Sequence, residues 1–103
     1  MRFVYHPDAL AEYTDGALYF DERVPGLGAD FTIEMDNAIA VILEAPDRWR
    51  VLEEDVRRYL VHRFPYGILY TIEDGYVLIV AMMHLSREPG YWRHRISRQP
   101  GAE

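Results

Sequence analysis

The sequence predicts one α+β domain in which a helical hairpin packs on a mainly antiparallel sheet. Three observations predict it. Apolar residues recur at spacings of three and four from Leu10 to Leu43, the mark of amphipathic helices. From Arg57 onward the period changes to two, the mark of strands. Asp74-Gly75 stands between two alternating runs, a strong hairpin signal. At 103 residues, half of them hydrophobic, the chain has the size of a single domain with a modest core.

Arg2-Phe3-Val4-Tyr5 reads as a short first strand. His6-Pro7-Asp8 opens a helix, with Pro suited to the first turn. Leu10, Tyr13, Ala17, Phe20 and Val24 form its apolar stripe, and the acidic face of residues 8–36 is expected to be solvated. Val24-Pro25-Gly26-Leu27-Gly28 breaks that helix. A second helix is predicted from Asp30 to Ala45 on Phe31, Met35, Ala38 and Ile42, and Pro46 ends it. Three strands follow, over residues 57–64, 66–73 and 76–84. The predicted order is thus β-α-α-β-β-β, with a short element, helical from Tyr91 to Ile96, and a frayed end over residues 99–103.

A two-residue turn at Asp74-Gly75 would set Tyr70 opposite Ile79, Leu69 opposite Val80, Ile68 opposite Ala81 and Gly67 opposite Met82. One sheet face would then carry Ile68, Tyr70, Ile72, Val77, Ile79 and Ala81, and take the helices. The other would carry Gly67, Leu69, Thr71, Leu78, Val80, Met82 and, at the strand end, His84. That second, shallower face is suited to a groove or a docked tail, with Tyr91 and Trp92 as its apolar cover.

Composition narrows the function. Without cysteine there is no disulfide framework and no thiolate zinc site, which suits a reducing cytoplasm. The four His lack ligand spacing, so no metal and no cofactor are expected. No apolar run is long enough to span a membrane, and no leader is legible. The net charge of −6 is unevenly spread. Residues 1–55 hold 13 acids and 4 Arg, whereas residues 56–103 hold 4 acids and 7 Arg. An anion-binding surface therefore belongs to the second half. All 11 basic residues are Arg.

Taken together, Pro25-Gly26-Leu27-Gly28 with Phe31, Pro46 after the second helix, Arg63-Phe64-Pro65-Tyr66 with Ile68 and Tyr70, and His84 with Arg87, Pro89, Tyr91 and Trp92 resemble the RelE/ParE superfamily of bacterial toxins from type II toxin–antitoxin modules. The resemblance runs over nearly the whole chain. It implies a RelE/ParE-like fold, a cytoplasmic growth inhibitor of the plasmid-stabilisation type, and a cognate antitoxin as partner. It also implies one of two targets. RelE-like members act on the ribosome as endoribonucleases that cut mRNA; ParE-like members bind DNA gyrase and are not nucleases. A third possibility is a toxin fold without toxicity.

If the chain is an enzyme, it is a metal-independent endoribonuclease. Attack by the substrate 2′-OH needs a base, an acid and cations around the phosphorane. His84 suits the base or acid, Tyr91 the partner acid or a stacking platform, and Arg63 and Arg87 a phosphate clamp. Glu53 or Glu54 is a further candidate base. If the chain is a binding module, Arg57, Arg58, Arg63, Arg87, Trp92 and Arg93 are its candidate antitoxin or target contacts. Two features favour the binding module. RelE-like nucleases resemble one another in being strongly basic with a lysine cluster, whereas this chain has no lysine and carries the acidic stretch Val51-Leu52-Glu53-Glu54-Asp55.

Overall fold

A computed structural model describes residues 1–96. Strand β1 (Arg2–Tyr5) leads into helix α1 (Pro7–Arg23) and helix α2 (Leu27–Glu44). After a 3-10 turn at Pro46–Arg48 come strands β2 (Val51–Glu53), β3 (Val56–Leu60), β4 (Tyr66–Glu73) and β5 (Tyr76–His84), then a 3-10 turn at Arg93–Ile96. The sheet order is β1-β5-β4-β3-β2; β1 pairs parallel with β5 and all other neighbours are antiparallel. The α+β class and the αα-hairpin are as the sequence predicts. The predicted end at residues 99–103 lies outside the described residues.

Local chemistry accounts for the helix ends. The His6 imidazole Nδ1 accepts the Asp8 N–H at 3.0 Å and caps α1, with Pro7 in the first turn. The Asp21 carboxylate of α1 accepts the Gly26 and Gly28 N–H groups at 2.9 and 3.2 Å. Gly26 has φ +90°, the left-handed region that glycine tolerates. A Cβ at residue 28 would meet the Ala17 carbonyl at 2.5 Å. The Pro-Gly-Leu-Gly turn thus lets the helices touch, and because Asp21 caps it, α2 starts at Leu27 instead of the predicted Asp30.

Two further expectations change. The acidic stretch at 51–55, where no strand is predicted, contains one: Val51–Glu53 pairs with β3, adding an edge strand. The strand predicted to reach residue 64 stops at Leu60, because Phe64 turns into the core beside Phe20 and Phe31, with ring centroids 4.9 and 5.2 Å away.

A fourth correction concerns register. Tyr70 faces Ile79 as predicted, but a bulge follows on β5, so Leu69 faces Ala81, Ile68 faces Met82 and Gly67 faces Met83. One extra residue exchanges the faces of everything beyond it. Met82 packs with Phe31, Ile68 and Tyr70 under the helices, whereas Ala81 and Met83 join Val56, Leu69, Val80 and Trp92 on the other face. His84 moves with Met82 to the α1 side, where it lines a cavity with Glu12 and Tyr66.

Candidate functional site

The bulge decides what surrounds the end of β5. Beyond Ile79 the strand has no β1 partner, because β1 ends at Tyr5 and the His6 N–H takes the Ile79 carbonyl. The exposed backbone groups are met by side chains. Glu12 of α1 accepts the Met82 N–H through Oε1 at 2.9 Å, and Arg95 Nη1 donates to the Val80 carbonyl at 3.1 Å. The same two side chains bind each other. Arg95 Nη1 and Nη2 each donate to Glu12 at 2.9 Å, and the Tyr91 hydroxyl donates to Glu12 Oε2 at 2.7 Å.

This is a desolvated ion pair, with the Arg95 side chain 6% exposed and that of Glu12 16% exposed. Burial works against the Arg95 charge, but the hydrogen bonds and charge of Glu12 prevail and hold its pKa above the ordinary value. Burial and the adjacent Glu12 push the Tyr91 hydroxyl well above the ordinary tyrosine range. Asp8 adds a second carboxylate, 3.6 Å from Arg95 Nε and 3.7 Å from His94 Nε2. Glu12 and Arg95 were not singled out by the sequence reading. The expectation of a solvated acidic helix face fails at Glu12, which stands between the buried residues Ala9 and Gly16 at helical spacing. That spacing is the signal that marks it.

The structure groups the predicted catalytic residues in part. His84 and Arg87 line one cavity of about 240 Å³ together with Glu12, Asp15, Tyr19 and Tyr66. His84 Nδ1 accepts the Ser86 N–H at 3.1 Å and lies 2.7 Å from its hydroxyl. Arg87 stacks on the Tyr91 ring at 3.8 Å and stands 3.9 Å from Glu12. Arg63 is not part of that group: it turns away to Asp30 of α2, at 3.1 Å. Glu53 is paired with Arg93 in a two-bond contact at 2.7 and 2.9 Å, and the Arg93 hydrogen bonds lower its pKa. Glu54 is exposed in the β2–β3 turn with φ 50°.

The predicted binding residues divide similarly. Arg57 is spent on structure, donating to the Asp47 and Trp49 carbonyls at 3.0 and 2.7 Å. Trp92, a candidate contact, is 1% exposed and so offers no surface to a partner; it packs in the second-face cluster, the alternative role of apolar cover. Arg58, Arg87 and Arg93 rim a second cavity of about 220 Å³ whose floor includes Leu52, Met83 and Leu85. The Arg58 stem lies along Gly67, where a Cβ would touch its Cγ at 3.4 Å. Arg87 lines both cavities and so joins the two faces at the end of β5.

No group of three or more His, Cys, Asp or Glu that could hold a metal occurs among the described residues. No helix among them is long and apolar enough to cross a membrane.

Comparison with known proteins agrees with this architecture. A solved chain titled chromosomal ParDE TA system from P. aeruginosa superposes with a TM-score of 0.73 over 82% of this chain and 95% of that chain, at 10% identity. That likeness concerns the fold. No curated protein sequence matches the chain. The family model for the ParE toxin of the type II toxin–antitoxin system parDE matches residues 3–89. The chain therefore belongs to the ParE toxin family, as the toxin component of a ParDE-type module.

Proposed function

We propose that this toxin acts in the cytoplasm by binding DNA gyrase, not by cutting mRNA, and that its antitoxin neutralises it by covering the arginine-rimmed groove on the second sheet face. The observation that carries the mechanism is the occupation of Glu12. The hydroxyl best placed to act as an acid, that of Tyr91, donates to Glu12 and is held far from neutral titration. The cation beside it, Arg87, faces the same carboxylate, and Arg63 is paired with Asp30 elsewhere. An RNA phosphate would have to displace an internal carboxylate to reach these groups. A binding surface has no such requirement.

The groove suits an antitoxin segment with acidic and apolar side chains. Its floor offers Leu52, Met83 and Leu85, and its rim offers Arg58. The charge of residues 56–103 has the matching sign. The family match, which is to ParE, agrees with this reading and lends no support to the endoribonuclease alternative.

The test is mRNA 5′-end mapping in a cell-free translation reaction, run beside a gyrase supercoiling assay. Intact mRNA with impaired supercoiling is expected. New 5′ ends in the decoding site, lost in Arg87→Ala and His84→Ala proteins, would establish the nuclease instead. Both activities unimpaired would mean a toxin fold that no longer poisons either target.

A further inference from the structure

Another cavity, of about 480 Å³, opens between β1, α1 and α2 and shares no residue with the two at the end of β5. Local periodicity builds it. Phe3 and Tyr5 stand two apart on a strand, so both rings leave one face of β1. Asp36, Ile39, Ala40 and Leu43 follow helical spacing along one side of α2, and Tyr13 of α1 completes the lining. The rings stand at angles to one another. Phe3 and Tyr5 meet edge to face with centroids 5.4 Å apart, and Tyr5 and Tyr13 lie 5.9 Å apart at 55°. Beside them Asp36 Oδ1 accepts the Tyr13 hydroxyl at 2.9 Å, a neutral donor that leaves the carboxylate its charge. Burial raises the Tyr5 hydroxyl to about 12, with Tyr13 and the Asp36 charge adding to the shift, so Tyr5 stays neutral in a cavity of negative potential.

We infer that this cavity binds an arginine or lysine side chain of a protein partner, its cationic head among the Phe3, Tyr5 and Tyr13 rings at Asp36, and its stem with an apolar neighbour along Ile39, Ala40 and Leu43. Rings grouped about a carboxylate attract an organic cation twice, through the ring quadrupoles and through the ion pair. Ile39, Ala40 and Leu43 offer nothing to a charge but suit a methylene stem. A free amine would leave that apolar length uncovered, whereas a peptide segment brings apolar neighbours with its cation. The site is reachable, since Asp36 is exposed and Phe3 is 37% exposed. Charge selects the partner. Residues 1–55 hold 13 acids against 4 Arg, so the field over the helices draws a basic segment and repels the acidic one suited to the Arg58 groove. The inference does not depend on which target the toxin binds.

Titration of the ¹⁵N-labelled protein with the capped peptide acetyl-Leu-Arg-Leu-amide, followed by amide chemical shifts, tests it. Saturable shifts centred on residues 3–5, 13 and 36–43 are expected. The same peptide with neutral citrulline in place of arginine should bind more weakly by about threefold or more. Equal binding of the two peptides, or no saturable shift at those residues, would overturn the inference. Asp36→Asn, which keeps an acceptor for the Tyr13 hydroxyl, should weaken the arginine peptide by about threefold to tenfold. Glu22→Gln, which removes the same charge from an exposed position of α1, should leave it unchanged. Equal weakening by both substitutions would reduce the site to a general attraction toward the acidic helices and refute it. Tighter binding of n-hexylammonium than of the peptide would refute the protein partner and assign the cavity to a free amine.

Discussion

Four hydrogen bonds end on the Glu12 carboxylate, which fills the acceptor capacity of that group. Removing it strands a buried guanidinium, a backbone N–H and a hydroxyl at once. Glu12→Ala should therefore cost about 3–5 kcal/mol, read from urea unfolding. A loss below about 1 kcal/mol would mean that the pair contributes no more than a surface bridge. Arg63–Asp30 is such a surface bridge, with side chains 55% and 44% exposed. Arg63→Ala should change stability by no more than about 1 kcal/mol, so any lost toxicity in that protein reports on a partner contact. Gly16 makes the opposite kind of demand. A Cβ there would meet the Phe31 ring at 2.7 and 2.9 Å, so Gly16→Ala should destabilise by about 1–3 kcal/mol despite its better helix propensity. A more stable Gly16→Ala protein in the same urea titration would show that the ring moves aside freely.

At the scale of elements, both helices, the hairpin turn and four of the five strands were legible because each rests on a local signal. His6-Pro7 starts α1, Pro46 follows α2, and Asp74-Gly75 joins β4 to β5. Register was legible only as far as the turn controls it, to Tyr70–Ile79. The bulge beyond has no sequence signature of its own. It coincides with the place where Glu12 and Arg95, more than 80 positions apart in sequence, replace a neighbouring strand. Alternation alone therefore put His84 on the wrong face. The same nonlocality hid the Glu12–Arg95 pair: on a mostly acidic helix only the spacing of Glu12 from Ala9 and Gly16 sets it apart, and its partner lies at the other end of the chain. By contrast, Trp92 was legible, since a large apolar residue after the last strand has only the second face to cover. Trp92→Ala should cost about 3–5 kcal/mol. In denaturation followed by a probe remote from residue 92, a small change would show that the second-face cluster closes over the gap.

For the whole molecule, the tyrosines make an alkaline limit. Burial raises the hydroxyls of Tyr5, Tyr13 and Tyr70 to about 12, and those of Tyr66 and Tyr91 also lie above the ordinary value of 10. A folded pKa above the unfolded one stabilises fully below pH 10, where both states are protonated, and that contribution fades as pH rises through the folded values. Stability should thus fall steadily above pH 10, and ultraviolet titration of the native protein should leave these tyrosines un-ionised at that pH. Full ionisation near pH 10 with the fold intact would contradict their burial. On the same scale, the charge distribution separates an acidic helical half from an arginine-rich sheet half, the side on which the groove lies. The Arg cations near the candidate nuclease residues are largely answered by carboxylates of the same chain, in keeping with the binding role proposed above.

That claim meets its most direct test in a supercoiling assay with purified gyrase, relaxed plasmid, ATP and the purified toxin. Supercoiling should fail in proportion to toxin added and be preserved when cognate antitoxin is added first. Undiminished supercoiling at a large molar excess of folded toxin would contradict it.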